Sequence, residues 1–514
     1  MNNYPPVPRE TYENNYDRQI AQMKTSGLLT RFARSREILE ADPHRPLYHA
    51  TSPECAMHDP NGLCFYKGHW HLFYQAYPPE YPKQHWGHLF SKDLIHWKDL
   101  PYALYPGPEQ ACFSGGAYAE ENRVIAMYHG TTVGNMVAVS HDDLLLNWEK
   151  LTGNAVIDID SMGREYQVFD PCIWKEGNEY YSLSGGYLPA GDSGKYRAAD
   201  FLFSSKDLIN WEYLHPFVEN DHFTLYGDDG ACPYFWPIGD GRYILLFFSH
   251  MSAGQALIGK YDKKRRKFIP EFHQRANHGV LHEGGVHAPS AFPDGEGSVI
   301  VIHNVNAGKK DGVMKSTMTL PRRLSYCNEE LKIEPAGDFT SLRCNHRHVD
   351  ETILEKGRTY EFGDVSGNCV EIIAEFDAAG SNLIEIDILK SDTEVTKLRY
   401  YHGRGYNRSY RKKEINRVDS VFEIDSTNAT TNGNILTRPV ESMQVHVKGE
   451  ESLILHLFID KSIIEAFVNY RDCACVRVYP ENPTSTGISI TAKGKPVKLK
   501  RLDIWDMKKI NYSI

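Results

Sequence analysis

Three stretches of the chain echo one another: "HLFSKDLIHWKDL" at 88–100, "VAVSHDDLLLNWEKL" at 137–151 and "FLFSSKDLINWEYL" at 201–214. In each, an apolar strand ends in Ser, an acidic turn follows, and Leu and Trp lead into a short returning strand. A second repeat lies beside the first. "CFYKGHWHLFYQ" (64–75), "YAEENRVIAMYHG" (118–130), "CIWKEGNEYYSLSG" (172–185), "YFWPIGDGRYILLFF" (234–248) and "AFPDGEGSVIVIHN" (291–304) all read as hairpins around a tight turn. Five such units at a regular spacing predict an all-β propeller of five four-stranded blades.

A short polar tag precedes each hairpin: "HDPNG" (58–62), "FSGG" (113–116), "FDPC" (169–172), "GACP" (230–233) and "VHAPS" (286–290). The innermost strands of a propeller line its central funnel, so equivalent tag residues should converge there. That set is Asp59, Ser114, Asp170, Ala231 and His287. An isolated Asp-Pro is ordinarily a turn, but two in step with a fivefold repeat point to a site.

Working outward, residues 46–338 carry the blade repeat. After about residue 340 the strands alternate or run apolar without it, as in "EIIAEFDAAGSNLIEIDIL" and "LILHLFIDKSIIEAFVN". Residues 339–514 therefore read as a C-terminal β-sandwich. Residues 1–45, with "YDRQIAQMKTSGLLTRFARSREILEAD", read as a short helical N-terminal extension packed on the propeller's outside. Two domains are also the expectation for 514 residues, more than one core usually serves.

Composition narrows the class. A net charge of −10 argues against nucleic-acid binding, which needs a basic face. No run of some 18 apolar residues appears, so no membrane span is expected. The start "MNNYPPVPRETYENNYDRQ" lacks the basic-then-apolar pattern of an export signal, so a cytoplasmic location is expected. The ten Cys are scattered apart from Cys473 and Cys475, and a lone "CAC" is no zinc pattern, so reduced thiols are expected. Aromatics are plentiful, 31 Tyr, 22 Phe and 8 Trp; most should fill the sheets, and some suit the flat apolar faces of sugars.

The ordered blocks resemble glycoside hydrolase family 32, the invertases, inulinases and levanases. "MHDPNGLCFYKGHWHLFYQ" and "HWGHLFSKDLIHWKDLPYALYP" are similar to that family's opening, followed in order by "FSGG", "FDP" and "ACP", the last in the place of Glu-Cys-Pro. "LHLFIDKSIIEAFVN" resembles a strand pair of its C-terminal sandwich, and the likeness spans roughly residues 46–505. It implies a retaining β-fructofuranosidase that needs no cofactor and no metal. By resemblance Asp59 is the nucleophile, Asp170 holds sugar hydroxyls and stabilises the transition state, and Ala231 stands where the general acid belongs. Substrate contacts are implied for His58, Asn61, Gln75, Trp86, Phe113, Ser114, Phe169 and His287. Trp86 and Phe113 also read as candidate core aromatics, since such rings are mostly buried.

Departures from the family pattern matter as much. His58 replaces Asn, Ala56 replaces Trp, and Phe169 replaces an Arg, which removes a charged, multidentate clamp on hydroxyls. His287 falls where an aromatic residue is common. His58 and His287 have no carboxylate spacing that suits a metal. Ala231 has no proton to give. Asp228 and Asp229 lie close in sequence, but they fall outside the tag register and are shorter than Glu.

The expected partner is a fructose-containing di- or oligosaccharide, cut from its non-reducing end by a form that Ala231 leaves inactive or crippled. A fructosyltransferase, a furanosidase for another sugar, and a non-catalytic carbohydrate-binding protein are the alternatives. The sequence sets no oligomeric state and allows a homo-oligomer.

Overall fold

A computed structural model describes residues 6–514 except 161, 190–194, 277–282, 311–315, 378–382, 405–416 and 449–450. Five antiparallel sheets follow one another along the chain, at 57–104, 112–158, 171–216, 231–275 and 286–335. Each is built from strands consecutive in sequence, with a short extra strand in the second and fifth. The first strand of each sheet neighbours the first strand of the next, and that of the fifth returns to that of the first. The result is a closed ring of five blades around a funnel, as the hairpin repeat predicts.

The Ser-acidic-turn repeat has a local cause. Asp93 Oδ1 accepts from the backbone N–H of Ile95 and His96, and Asp207 Oδ1 from those of Ile209 and Asn210. A carboxylate that caps its own turn's donors makes a tight blade edge without help from elsewhere. The Trp after each turn is wholly or partly buried between blades.

The funnel strands carry a further device. In four of the five blades two residues of the first strand stand opposite one on the second, a β-bulge. The bulged pairs are His58–Asp59 opposite Gln75, Phe113–Ser114 opposite His129, Cys232–Pro233 opposite Phe247, and His287–Ala288 opposite Asn304. A bulge bends the strand and re-aims its side chains. This register corrects the expected alignment of tags. Asp59 and Ser114 are second bulge residues, whereas His287 is a first bulge residue and Ala231 lies just before its bulge.

Deeper in the ring Tyr234 crosses between blades. Its hydroxyl donates to the Gly115 carbonyl at 2.9 Å and lies 2.9 Å from Ser290 Oγ. Ser290 Oγ in turn accepts from the Leu63 N–H. Four blades are thereby tied together beneath the bulges, which closes the funnel floor.

The strands from 343 to 507 form two packed sheets, one of seven strands and one of six, around a core of Ile, Leu, Val and Phe. This sandwich grips both ends of the ring. Asp460 accepts from the backbone N–H of Leu47, Tyr48 and His49, just before the first blade. Glu465, on the adjoining strand, accepts from Arg322 in the fifth blade at 2.7 Å and lies 3.2 Å from His49 Nε2. All of these charged side chains are buried.

Helices Tyr16–Met23 and Gly27–Leu39 are capped by Asn15 and Ser26 and pack outside the first two blades. Arg36, on the second helix, pairs with Asp99 of the first blade through two hydrogen bonds of 2.6 and 2.7 Å. Among the described residues no helix is long and apolar enough to cross a membrane, and all ten cysteines are free thiols.

Candidate active site

The bulges bring the first two tags together. Asp59 Oδ2 accepts from Ser114 Oγ at 2.8 Å and Gln75 Nε2 at 3.2 Å, while Oδ1 accepts from His287 Nδ1 at 2.9 Å. Gln75 Nε2 also donates to Ser114 Oγ at 2.9 Å. Three blades thus supply donors to one carboxylate at the neck of the funnel. Burial by itself would raise the Asp59 carboxyl, but His287, Ser114 and the nearby His58 outweigh it and hold it at about 2. Asp59 is therefore ionised at any ordinary pH and fixed in position, as a nucleophile must be.

Asp170 faces this group from the third blade, where the Cys232 thiol donates to its Oδ2 at 3.4 Å. Its carboxyl is pushed up, first by burial and then by the negative charge of Asp59, with His129 pulling the other way. Two carboxyls in one pocket, one driven down and one up, mark a divided chemical task.

The other expected contacts separate into two groups. Phe113 is half-buried at the funnel wall, and Phe169 is 44% exposed at its rim, with His129 between them at ring distances of 6.2 Å to each. His58 is half-buried, its ring 5.1 Å from that of Tyr77. These rings offer an apolar, polar-edged surface to a sugar. Trp86 and Asn61, in contrast, have no exposed surface. Trp86 packs on Phe73 and Tyr128 and donates its indole N–H to the Phe113 carbonyl at 2.9 Å, so it backs the wall from behind. Asn61, paired with Phe73, sits just before a second bulge of the same strand, at Gly62–Leu63, beside Trp86. Their direct contact with a sugar is the expectation the packing corrects.

Ala231 is half-buried at the start of its strand, directly opposite Phe248. Neither neighbouring acid replaces it. Asp228 is buried and taken up by Ser249, Ser252 and the Leu225 N–H. Asp229 is taken up by His250, accepting from its N–H at 2.8 Å and its Nδ1 at 2.7 Å.

His129, Cys232, Phe248 and His250 join the site without having been singled out in the sequence. His129 has the same ladder position as Gln75, and "MYH" answers "FYQ" in the hairpin repeat, so comparing hairpins residue by residue finds it. Cys232 becomes visible only once the bulge is known.

Comparison with known proteins bears on the family and the fold. The chain matches the Glycosyl hydrolases family 32 N-terminal domain over residues 49–335 and the family's C-terminal domain over 338–506. It is 26% identical to a sucrose-6-phosphate hydrolase of Zymomonas mobilis, over 82% of this chain and 83% of that protein. It is 25% identical to a levanase of Bacillus subtilis, over 91% of this chain and 71% of that one. Among solved structures, fructan 1-exohydrolase IIa from Cichorium intybus superposes with a TM-score of 0.79 at 21% identity, covering 92% of this chain and 99% of that one.

Proposed function

The chain belongs to glycosyl hydrolase family 32, and from that premise we propose that it transfers the terminal fructofuranosyl unit of sucrose-like or short fructo-oligosaccharides to water. The observation that carries this reading is the Asp59 carboxylate, kept ionised by His287, Ser114 and Gln75 with Asp170 facing it. Asp59 attacks the anomeric carbon and forms a glycosyl ester, which water then cleaves, so configuration is retained. Asp170 accepts hydrogen bonds from two ring hydroxyls that tighten as the sugar flattens towards an oxocarbenium ion. The floor closed by Tyr234 supports end-on entry of a chain terminus over passage of a polymer. The relatives named for sucrose-6-phosphate and levan fit a fructoside substrate, and imported short sugars would suit a cytoplasmic protein.

Ala231 removes the proton donor expected at that position, so the proton for a poor leaving group has to come from another residue. Introducing the carboxylic acid tests this. Ala231→Glu should raise hydrolysis of sucrose or a short fructo-oligosaccharide, by up to about 10²–10⁴-fold where no other group supplies the proton, with the smallest gain on aryl fructosides, which need little protonation. Ala231 also favours a second reading, a carbohydrate-binding protein that cuts nothing. A folded, sugar-binding Ala231→Glu protein that releases no monosaccharide from any fructoside would establish that second reading instead.

A further inference from the structure

Side-chain contacts place a different acid near the empty position. Ala231 stands opposite Phe248. Just beyond the strand ends, two residues before Ala231 and two after Phe248, Asp229 meets His250, whose N–H donates to Asp229 Oδ1 at 2.8 Å. The Asp229–His250 pair therefore closes the end of the strand pair that holds Ala231.

The imidazole lies close to the residue opposite Ala231. Its ring packs edge-on against Phe248 at 5.7 Å and lies 5.7 Å from the ring of His287, which itself bonds the nucleophile Asp59. The His250 side chain is 58% exposed, so a leaving group in the funnel mouth can reach it. Nδ1 is held by Asp229 Oδ2 at 2.7 Å, which fixes the ring and leaves the Nε2 proton as the one to give.

We propose that His250, oriented by Asp229, is the proton donor and acceptor of this chain in place of a carboxylic acid at position 231. This rests on the fructosidase reading above. In the first step Asp59 bonds to the anomeric carbon as the glycosidic C–O bond breaks, and the Nε2 proton passes to the departing oxygen, which leaves as a neutral alcohol. In the second, water oxygen bonds to the anomeric carbon, its proton returns to Nε2, and the Asp59 ester breaks. Charge and protons balance over the cycle. His250 is a catalytic residue here, and Asp229 a positioning residue.

The groups facing the ring set its pH behaviour. The hydrogen bond from Asp229 raises its pKa above the usual histidine value; burial opposes this, and the charges of Asp229, Asp170 and Asp59 add to it, with His287 as the neighbouring imidazole. A donor must be protonated, so activity should fall as pH rises through that raised value.

The test measures kcat/KM from pH 5 to 9 on a short fructo-oligosaccharide and on p-nitrophenyl β-fructofuranoside for the parent, His250→Gln, Asp229→Asn and Ala231→Glu. His250→Gln should lose at least about 30-fold on the oligosaccharide and under about threefold on the aryl substrate, as loss of a general acid does. The alkaline limb of the parent's profile should disappear with it, and Asp229→Asn should move that limb to lower pH. In the Ala231→Glu background, His250→Gln should have little effect. An unchanged His250→Gln enzyme, or an equal loss on both substrates, overturns the assignment. So does a parent inactive on both substrates while Ala231→Glu is active, a result that leaves the fructosidase reading standing. Inactivity of every form on both substrates removes both.

Discussion

At the scale of single residues, the site divides by how each side chain is held. Asp59 is held by three donors, so its replacement by Asn keeps the shape and removes the carboxylate proposed as the nucleophile. Asp59→Asn should fold with an unchanged circular-dichroism spectrum and lose essentially all fructosyl transfer. Turnover within about tenfold of the parent would take Asp59 out of that role, given the million-fold or larger accelerations that glycosidases supply. Asp59, Ser114, Gln75, Asp170 and His287 were legible because each sits in a short tag or hairpin end repeated elsewhere in the chain. Trp86 and Asn61 misled for a physical reason. Sequence places a residue near a site without saying which side of the wall it faces, and both face the core. His250 was illegible because its nearness to Phe248, which stands opposite Ala231, and to His287 exists only in the fold.

At the scale of the element, the five-hairpin reading came through in full, since tight turns between apolar runs are local chemistry. The bulges did not, because an extra residue in one strand is defined only by what lies opposite. Close approach between blades is equally invisible beforehand. A methyl group on Gly185, at the end of the third blade's hairpin, would meet the Gly230 carbonyl oxygen at 2.0 Å. Neither partner can yield, since Gly230 N–H donates to the Gly186 carbonyl in the same crossing. Gly185→Ala should therefore cost about 1–3 kcal/mol or more, read from urea unfolding. Gly153→Ala, with nothing within 4 Å of the new methyl, is the matched control and should be near neutral. Equal midpoints for the two would show that the third and fourth blades separate easily.

At the scale of the whole molecule, the propeller and sandwich are one mechanical unit because Asp460 and Glu465 hold residues 47–49 and 322 together. The stretch "LHLFIDKSIIEAFVN" was legible as a family feature, but its job as a tie between the ring's ends was not. Glu465→Gln strands the Arg322 charge in the interior and should cost about 3–5 kcal/mol. His49 adds a pH dependence. Burial lowers its pKa, yet hydrogen bonds to Asp460 and Glu465 prevail and raise it. A raised folded-state value contributes stability that is whole below about pH 6.5 and is lost as pH rises through that value. The melting temperature should therefore decline from mildly acidic to alkaline pH, and Glu465→Gln should flatten the decline; an identical slope in both proteins would assign the effect elsewhere. The same tie has a consequence for the order in which the protein is made. All five blades have left the ribosome by residue 338, yet the residues that fasten first blade to fifth come only at 460–465. At 5–20 residues per second the nascent ring waits about 6–25 s for its fastening, with only direct bonds such as Met318 N–H to the Ala50 carbonyl to close it meanwhile.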